Sequence, residues 1–179
     1  MATQLNISTL NLQDALDMAV LIEKEAEERY LEFAEQLGQR YPGDAADFFT
    51  MMARNEQRHG IEISEQRRLL FGDTPSHVTK NMIENDIEAP DAEKAIRYMS
   101  PRHALEVAME SEIKAYEFYD GILEVIQDAT VRKLIKRLRD EETEHQTLLN
   151  EKRAKYHDML EPDFDPENDE LPFHRIRES

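Results

Sequence analysis

Six residues of this chain have the types and spacing to hold metal: Glu23, Glu56, His59, Glu112, Glu142 and His145. Glu56 with His59, and Glu142 with His145, form two Glu-x-x-His pairs. Residues three apart on a helix project the same way, so each pair offers a carboxylate and an imidazole together. In a chain with 39 acidic residues a single match means little. These glutamates differ from neighbours such as Glu25, Glu27, Glu28, Glu141 and Glu144, which read as solvated, because each lies in a stripe whose other members are mostly apolar. The first stripe is Leu16, Ala19, Glu23, Ala26, Tyr30, Phe33 and Leu37, and the second is Phe49, Met52, Glu56, His59, Ile63 and Leu70. The third is Leu105, Ala108, Glu112, Ala115, Tyr119, Ile122 and Ile126, and the fourth is Ile135, Leu138, Glu142, His145 and Leu149. Carboxylates turned into a core cost several kcal/mol each unless compensated. The basic residues Arg132, Lys133, Lys136, Arg137 and Arg139 mostly fall off the fourth stripe. Two divalent cations would balance the four charges, and the two imidazoles would complete coordination without adding charge. With no cysteine in the chain, such a site must be built from His and carboxylate alone.

Stripes of this kind need long helices to carry them. The first spans about 11–37 and stops at Gly38, with "QRYPGD" as the loop. A second begins after Asp44 as N-cap and ends before Gly72. The third opens on Ser100 as N-cap with Pro101 at its first position, and the fourth runs from near Asp128 to about Leu160. Short loops make two antiparallel hairpins. The long segment of about 72–100, expected to hold one or two short helices, carries the second hairpin back across the first. The predicted fold is all-α, an antiparallel four-helix bundle with one long crossover between the second and third helices. It occupies residues 1–160, followed over 161–179 by an acidic tail that is disordered or docks on a partner subunit through Phe164, Leu171, Phe173 and Ile176. Glu23 and Glu112 lie 89 positions apart and Glu56 and Glu142 lie 86 apart, so the chain reads as a duplicated hairpin. With 5 Gly, 7 Pro and no alternating β-branched runs, a sheet has little support.

A formal net charge of -17 disfavours nucleic acid and anionic membrane as partners and draws cations towards the surface. The N-terminal stretch lacks a basic segment followed by an apolar core, and no run approaches the length of a membrane span, so a cytoplasmic protein is expected. His77, His103, His157 and His174 stand outside the four stripes and are expected to take no metal role.

One Glu from each of two helices and Glu-x-x-His from each of two others is the pattern of ferritin-like di-iron carboxylate proteins. The chain resembles the rubrerythrin branch of that superfamily over about residues 12–160, in "IEKEAEERYLEFAE", "MARNEQRHG", "AMESEIKAYEFYDGI" and "LRDEETEHQTLL". The resemblance implies a centre of two iron ions, with Glu23 and Glu112 as ligands, Glu56 and Glu142 bridging or capping, and His59 and His145 taking one iron each. It also implies that the hydroxyls of Tyr30 and Tyr119 hold the carboxylates. Manganese or a mixed pair would suit the same ligands. Two features depart from the family pattern: Ala115 stands where rubrerythrins carry a further Glu, and the cysteine-rich rubredoxin-like module is missing. The set of six ligands is then closer to bacterioferritin-type ferroxidase centres, and electrons must come from an external donor. Met52 falls on an apolar stripe and reads as core, which leaves a haem site without support. The function implied is oxidation of Fe(II) by O2 or H2O2, as a ferroxidase or peroxidase in iron handling or oxidative stress, in a homodimer or larger homo-oligomer. The alternatives are an iron-storage or iron-transfer assembly and a di-iron oxygenase acting on an organic substrate.

Overall fold

Each of the four stripes lies on one long helix, except that Ile126 caps the third, in a computed structural model of the protein, which describes residues 5–40, 43–83, 87–90 and 100–156. The helices are α1 (Leu12–Arg40), α2 (Asp44–Phe71), α3 (Pro101–Val125) and α4 (Ala129–Tyr156), and no strand occurs among the described residues. Their starts are written in side chains. Asn11 accepts from the Asp14 amide at 2.9 Å, and Asp128 accepts from the amides of Thr130 and Val131 at 2.8 and 2.9 Å. Ser100 accepts from the His103 amide at 3.1 Å, with Pro101 opening α3. These bonds satisfy amides that a helix N-terminus leaves without partners.

Two expected boundaries move. Gly38 does not end α1, which continues to Arg40. A glycine stops a helix when it takes a left-handed conformation, and the positive-φ glycines are Gly43 (φ 107°) and Gly72 (φ 56°). Gly38 instead faces α2, where an added Cβ would lie 3.6 Å from that of Ala46. Asp44 is not the N-cap of α2 but its first residue, with Gly43 as the cap. Its carboxylate is bonded by Lys152 of α4, a buried lysine that joins the two hairpins.

The hairpins are α1 with α2 and α3 with α4. The apolar core falls into two parts. One gathers residues 15–22 of α1, Ile63 of α2, residues 115–122 of α3 and residues 131–138 of α4. The other gathers residues 30–37 of α1, residues 45–53 of α2, residues 104–109 of α3 and Leu149 of α4. These memberships give the directions: α1 and α4 run one way, α2 and α3 the other. Parallel α2 and α3 require the connection between them to travel the length of the bundle, which is the ferritin-like arrangement. Arg67 of α2 starts it by donating to Asp17 of α1 at 2.8 Å and to the carbonyls of Gly72 and Thr74. One 3-10 turn follows at Lys80–Met82, and the Met82 carbonyl accepts from the Leu5 amide at 3.1 Å. Val78 and Ile87 of the crossover pack into the first part of the core.

Leu70 departs from its stripe, being 54% exposed. It lies three heptads beyond Phe49, and a straight helix drifts by about 20° per heptad, which turns Leu70 roughly 60° off the core face. The expected tail over 161–179, His157 and His174 lie outside the described residues. Among the described residues no helix is long and apolar enough to cross a membrane.

Candidate metal centre

A polar layer separates the two parts of the apolar core. α1 brings Glu23 to it, α2 brings Glu56 and His59, α3 brings Glu112, and α4 brings Glu142 and His145; all six are buried. His59 Nδ1 lies 3.7 Å from Glu23 Oε2 and 3.6 Å from Glu56 Oε2. His145 Nδ1 lies 3.5 Å from Glu56 Oε1, 3.3 Å from Glu112 Oε2 and 4.0 Å from Glu142 Oε2. The imidazoles stack at a centroid distance of 5.4 Å, inclined by 17°. Glu56 therefore stands between two groupings, one around His59 and one around His145.

Two more carboxylates belong to this region. Glu88 comes from the crossover and is 1% exposed. Its ligand atoms group within 4.8 Å with those of Glu23 and Glu56, and also with those of Glu112, Glu142 and His145. Glu141 groups likewise with Glu23 and His59 and is half-buried, which corrects its expected place on a solvated face. Sequence periodicity could find neither. Glu88 is on no regular helix, and its only signal is an acid set between the apolar residues Ile87 and Ala89. Glu141 sits one position off its stripe. Glu25, Glu27 and Glu28 behave as polar periphery, meeting Lys80, Gln57 and Lys24 respectively. His77 is exposed and His103 lies in the first turn of α3, both away from the layer.

Crowding so many acids out of water sets their proton affinities. Burial, and then neighbouring carboxylates led by Glu88, push Glu23, Glu56 and Glu142 well above the usual carboxylate range. Burial and then Glu112 raise Glu88 to about 7. Glu112 is the exception. Burial raises it too, but the hydrogen bond and charge of His145, with hydrogen bonds from Glu142 and Tyr30, outweigh burial and hold it below the ordinary value. His145 is raised correspondingly, burial being overcome by Glu112, whereas burial and the neighbouring His145 and Arg58 lower His59 to about 4. Tyr30 donates its hydroxyl to Glu112 Oε1 across the hairpins. Tyr119 is equally buried, yet its hydroxyl has no hydrogen-bond partner among the described residues.

Whether this layer fits a metal pair can be judged from its unmet bonding capacity. Glu23 Oε2, both Glu56 oxygens, Glu88 Oε2 and Glu142 Oε2 are buried with no hydrogen-bond partner among the described residues. Unpartnered buried oxygens of this number are costly unless something cationic meets them. Carboxylate oxygen with imidazole is the donor set of iron, manganese and similar divalent ions. The residues fit such ions.

Among the described residues, grooves reach the layer from outside on two sides. One, of about 440 Å³, runs between α1 and α2 past Val20, Lys24, Gly60 and Ile61 and has Glu56 in its wall. At Gly60 an added Cβ would lie 3.5 Å from Glu23 Cβ. The other, of about 700 Å³, opens between α2 and α4 onto His59 and Glu141.

The family model for rubrerythrin matches residues 14–152. Among solved structures, the chain is similar to an uncharacterized conserved protein from Magnetospirillum magnetotacticum MS-1, with 28% identity and a TM-score of 0.69 over 87% of this chain and 100% of that one. It also shares its fold with a hypothetical protein from Pyrococcus furiosus, at 21% identity and a TM-score of 0.57 over 84% and 94% of the two chains. A search of curated proteins gives no match.

Proposed function

The chain belongs to the rubrerythrin family, and from that premise we propose that its polar layer holds two iron ions and that the protein oxidises Fe(II) with peroxide or O2. The observation that carries this reading is the set of buried carboxylate oxygens with no hydrogen-bond partner, in a layer shared with two imidazoles whose Nδ1 atoms face the same acids. Glu23 and His59 would hold one ion and Glu112, Glu142 and His145 the other, with Glu56 between them. When bound, two irons supply a pair of electrons to one O–O bond, which avoids release of one-electron oxygen radicals.

The protein's own residues supply the rest. Hard oxygen ligands favour the more highly charged ion, so the layer biases any bound iron towards oxidation. Tyr30 fixes the orientation of Glu112 by donating to it. Apolar residues on both sides, such as Ile63 and Met52, keep bulk water from the layer, and the grooves beside Glu56 and His59 offer small species a way in. Turnover as a peroxidase would draw its electrons from a donor other than these residues, none of which is a cysteine.

Anaerobic Fe(II) titration followed by H2O2 or O2, with stopped-flow absorbance, tests the reading. Two tightly held ions per chain and rapid oxidation by either oxidant are expected. Less than one tightly held ion per chain would overturn the metal centre. Two ions that resist both oxidants would overturn the redox role. The mass of the native assembly then distinguishes a soluble oxidoreductase, expected as a dimer, from a cage that stores iron.

A further inference from the structure

We infer that Glu88, carried by the crossover between α2 and α3, is a direct metal ligand, a fifth buried carboxylate that serves both ions of the centre. The inference rests on the metal-binding reading above and adds a residue that none of the four helices supplies.

Three observations converge on it. The first is position. Among the described residues, Glu88 alone has a carboxylate that groups within 4.8 Å both with Glu23 and Glu56 and with Glu112, Glu142 and His145, so it would reach both ligand groupings. The second is bonding. Its Oε2 is buried with no hydrogen-bond partner, and an unpartnered carboxylate oxygen aimed into a layer of acids has no protein reason to be there. The third is delivery. Residues 87–90 are all buried, and Ile87 is seated in the apolar core, so the segment holds the acid in the interior rather than towards water. Room for it is consistent with α3, where Ala115 is the next stripe residue after Glu112 and presents only a methyl group.

The added charge changes what the centre prefers. Glu23, Glu56, Glu112 and Glu142 balance two divalent ions, whereas with Glu88 ionised the five acids exceed that charge by one. The set then suits a more highly charged pair of ions better than four acids would. The crossover becomes part of the centre, so that metal occupancy and the seating of this segment depend on each other.

The rival account is structural: Glu88 lies within 4.8 Å of Glu56 and merely packs there. Glu88→Gln separates the two. A glutamine has the same shape and donates a hydrogen bond to Glu56, so it preserves a packing role, but its amide is a far poorer ligand than a carboxylate. The probe is Co(II), titrated under argon into metal-free full-length protein, with visible d–d absorption reporting coordination. Parent protein should bind two Co(II) per chain. Glu88→Gln should lose about tenfold or more in affinity for at least one ion, using the loss typical of disturbing a metal site as a lower bound, and should change the d–d bands. Glu88→Asp keeps the charge with a shorter reach and should retain both ions with shifted bands, which also serves if the glutamine variant folds poorly. A Glu88→Gln protein with the parent's two-ion affinity and spectrum would overturn the assignment of Glu88. A parent that binds no Co(II) in the layer would instead overturn the metal-centre reading itself.

Discussion

Glu56 and Glu112 face each other in the same buried layer, yet the protein treats them oppositely. Glu112 is bonded by Tyr30 and His145, while neither oxygen of Glu56 has a partner. In metal-free protein Glu56 is therefore a liability and Glu112 an anchor. Replacing Glu56 with Met should stabilise the metal-free protein by about 1–3 kcal/mol, the cost of an unsatisfied buried polar group. Glu112→Met should destabilise it by a similar amount, because Tyr30 and His145 lose their acceptor. Urea melts in chelator check the order, and the reverse order would mean that the layer is organised around Glu56. Protonation gives a second outcome at this scale. Glu23, Glu56 and Glu142 hold protons above their ordinary range and Glu88 titrates at about 7. The stability these raised acids lend the metal-free fold is complete below the unfolded value of 4.5 and is lost as pH rises through their folded values. His59, lowered from 6.5 to about 4, acts in the opposite sense below 6.5, so the acids dominate above that, joined by the raised His145. Metal must displace the protons, so loading at pH 7 should release at least about one per chain, and affinity should rise with pH. A weakly buffered titration with no proton release would contradict this. Six of the layer's residues were legible because helical periodicity exposes an acid in an apolar stripe. Glu88 was not, because a residue in an irregular segment has no period to violate.

At the scale of elements, the two hairpins repeat in sequence but not in their bonding. Tyr30 and Tyr119 each lie seven residues beyond a stripe glutamate, and both are fully buried. By the duplication, Tyr119 should hold Glu23 as Tyr30 holds Glu112. Its hydroxyl has no partner, and the leading charge acting on it is that of Glu88. The crossover enters on one side only and breaks the pseudo-symmetry there. Tyr30→Phe should cost about 1.5–3 kcal/mol, as expected for a buried hydrogen bond to a charged acceptor. Tyr119→Phe, which removes an unsatisfied hydroxyl, should be neutral or stabilising. Equal losses in thermal melts of the metal-free variants would show that the duplication extends to both tyrosines. The helices themselves were readable from their caps and stripes, with Ser100 and Pro101 marking α3 to the residue. The misplacements have local causes. Gly38 stops nothing because its conformation is helical, and Leu70 drifts out because a heptad falls about 20° short of two helical turns.

For the whole molecule, the question is how ions reach a layer closed above and below by apolar core. A net charge of -17 concentrates cations at the surface, so uptake of divalent ions should slow as ionic strength rises. The two grooves differ in what they offer a cation. The one between α2 and α4 mixes Arg58, Lys133, Lys136 and Arg137 with Glu62, Asp140, Glu141 and Glu144, which leaves little net attraction, and it ends at His59. The one between α1 and α2 balances Lys24 and Arg68 against Glu27 and Glu65, but it has a carboxyl group of the layer itself, that of Glu56, in its wall. Gly60 lines that groove, and its missing side chain keeps the groove open towards Glu23 and Glu56. The helix tolerates this at a cost, since glycine in a helix interior is worse than alanine by about 0.8–1.0 kcal/mol. An alanine fits, because its Cβ would make only ordinary contact at 3.5 Å with Glu23 Cβ. Gly60→Ala should therefore raise stability and bind the same number of ions, loading them somewhat more slowly. Gly60→Leu, which projects a full side chain into the groove, should slow Co(II) uptake by about tenfold, equivalent to about 1.4 kcal/mol of added barrier, with an unchanged end point. Stopped-flow loading at low salt measures both variants. Uptake at the parent's rate in Gly60→Leu would place cation entry at the α2–α4 opening instead, and Glu141, half-buried there beside His59, would then be the first acid an entering ion meets.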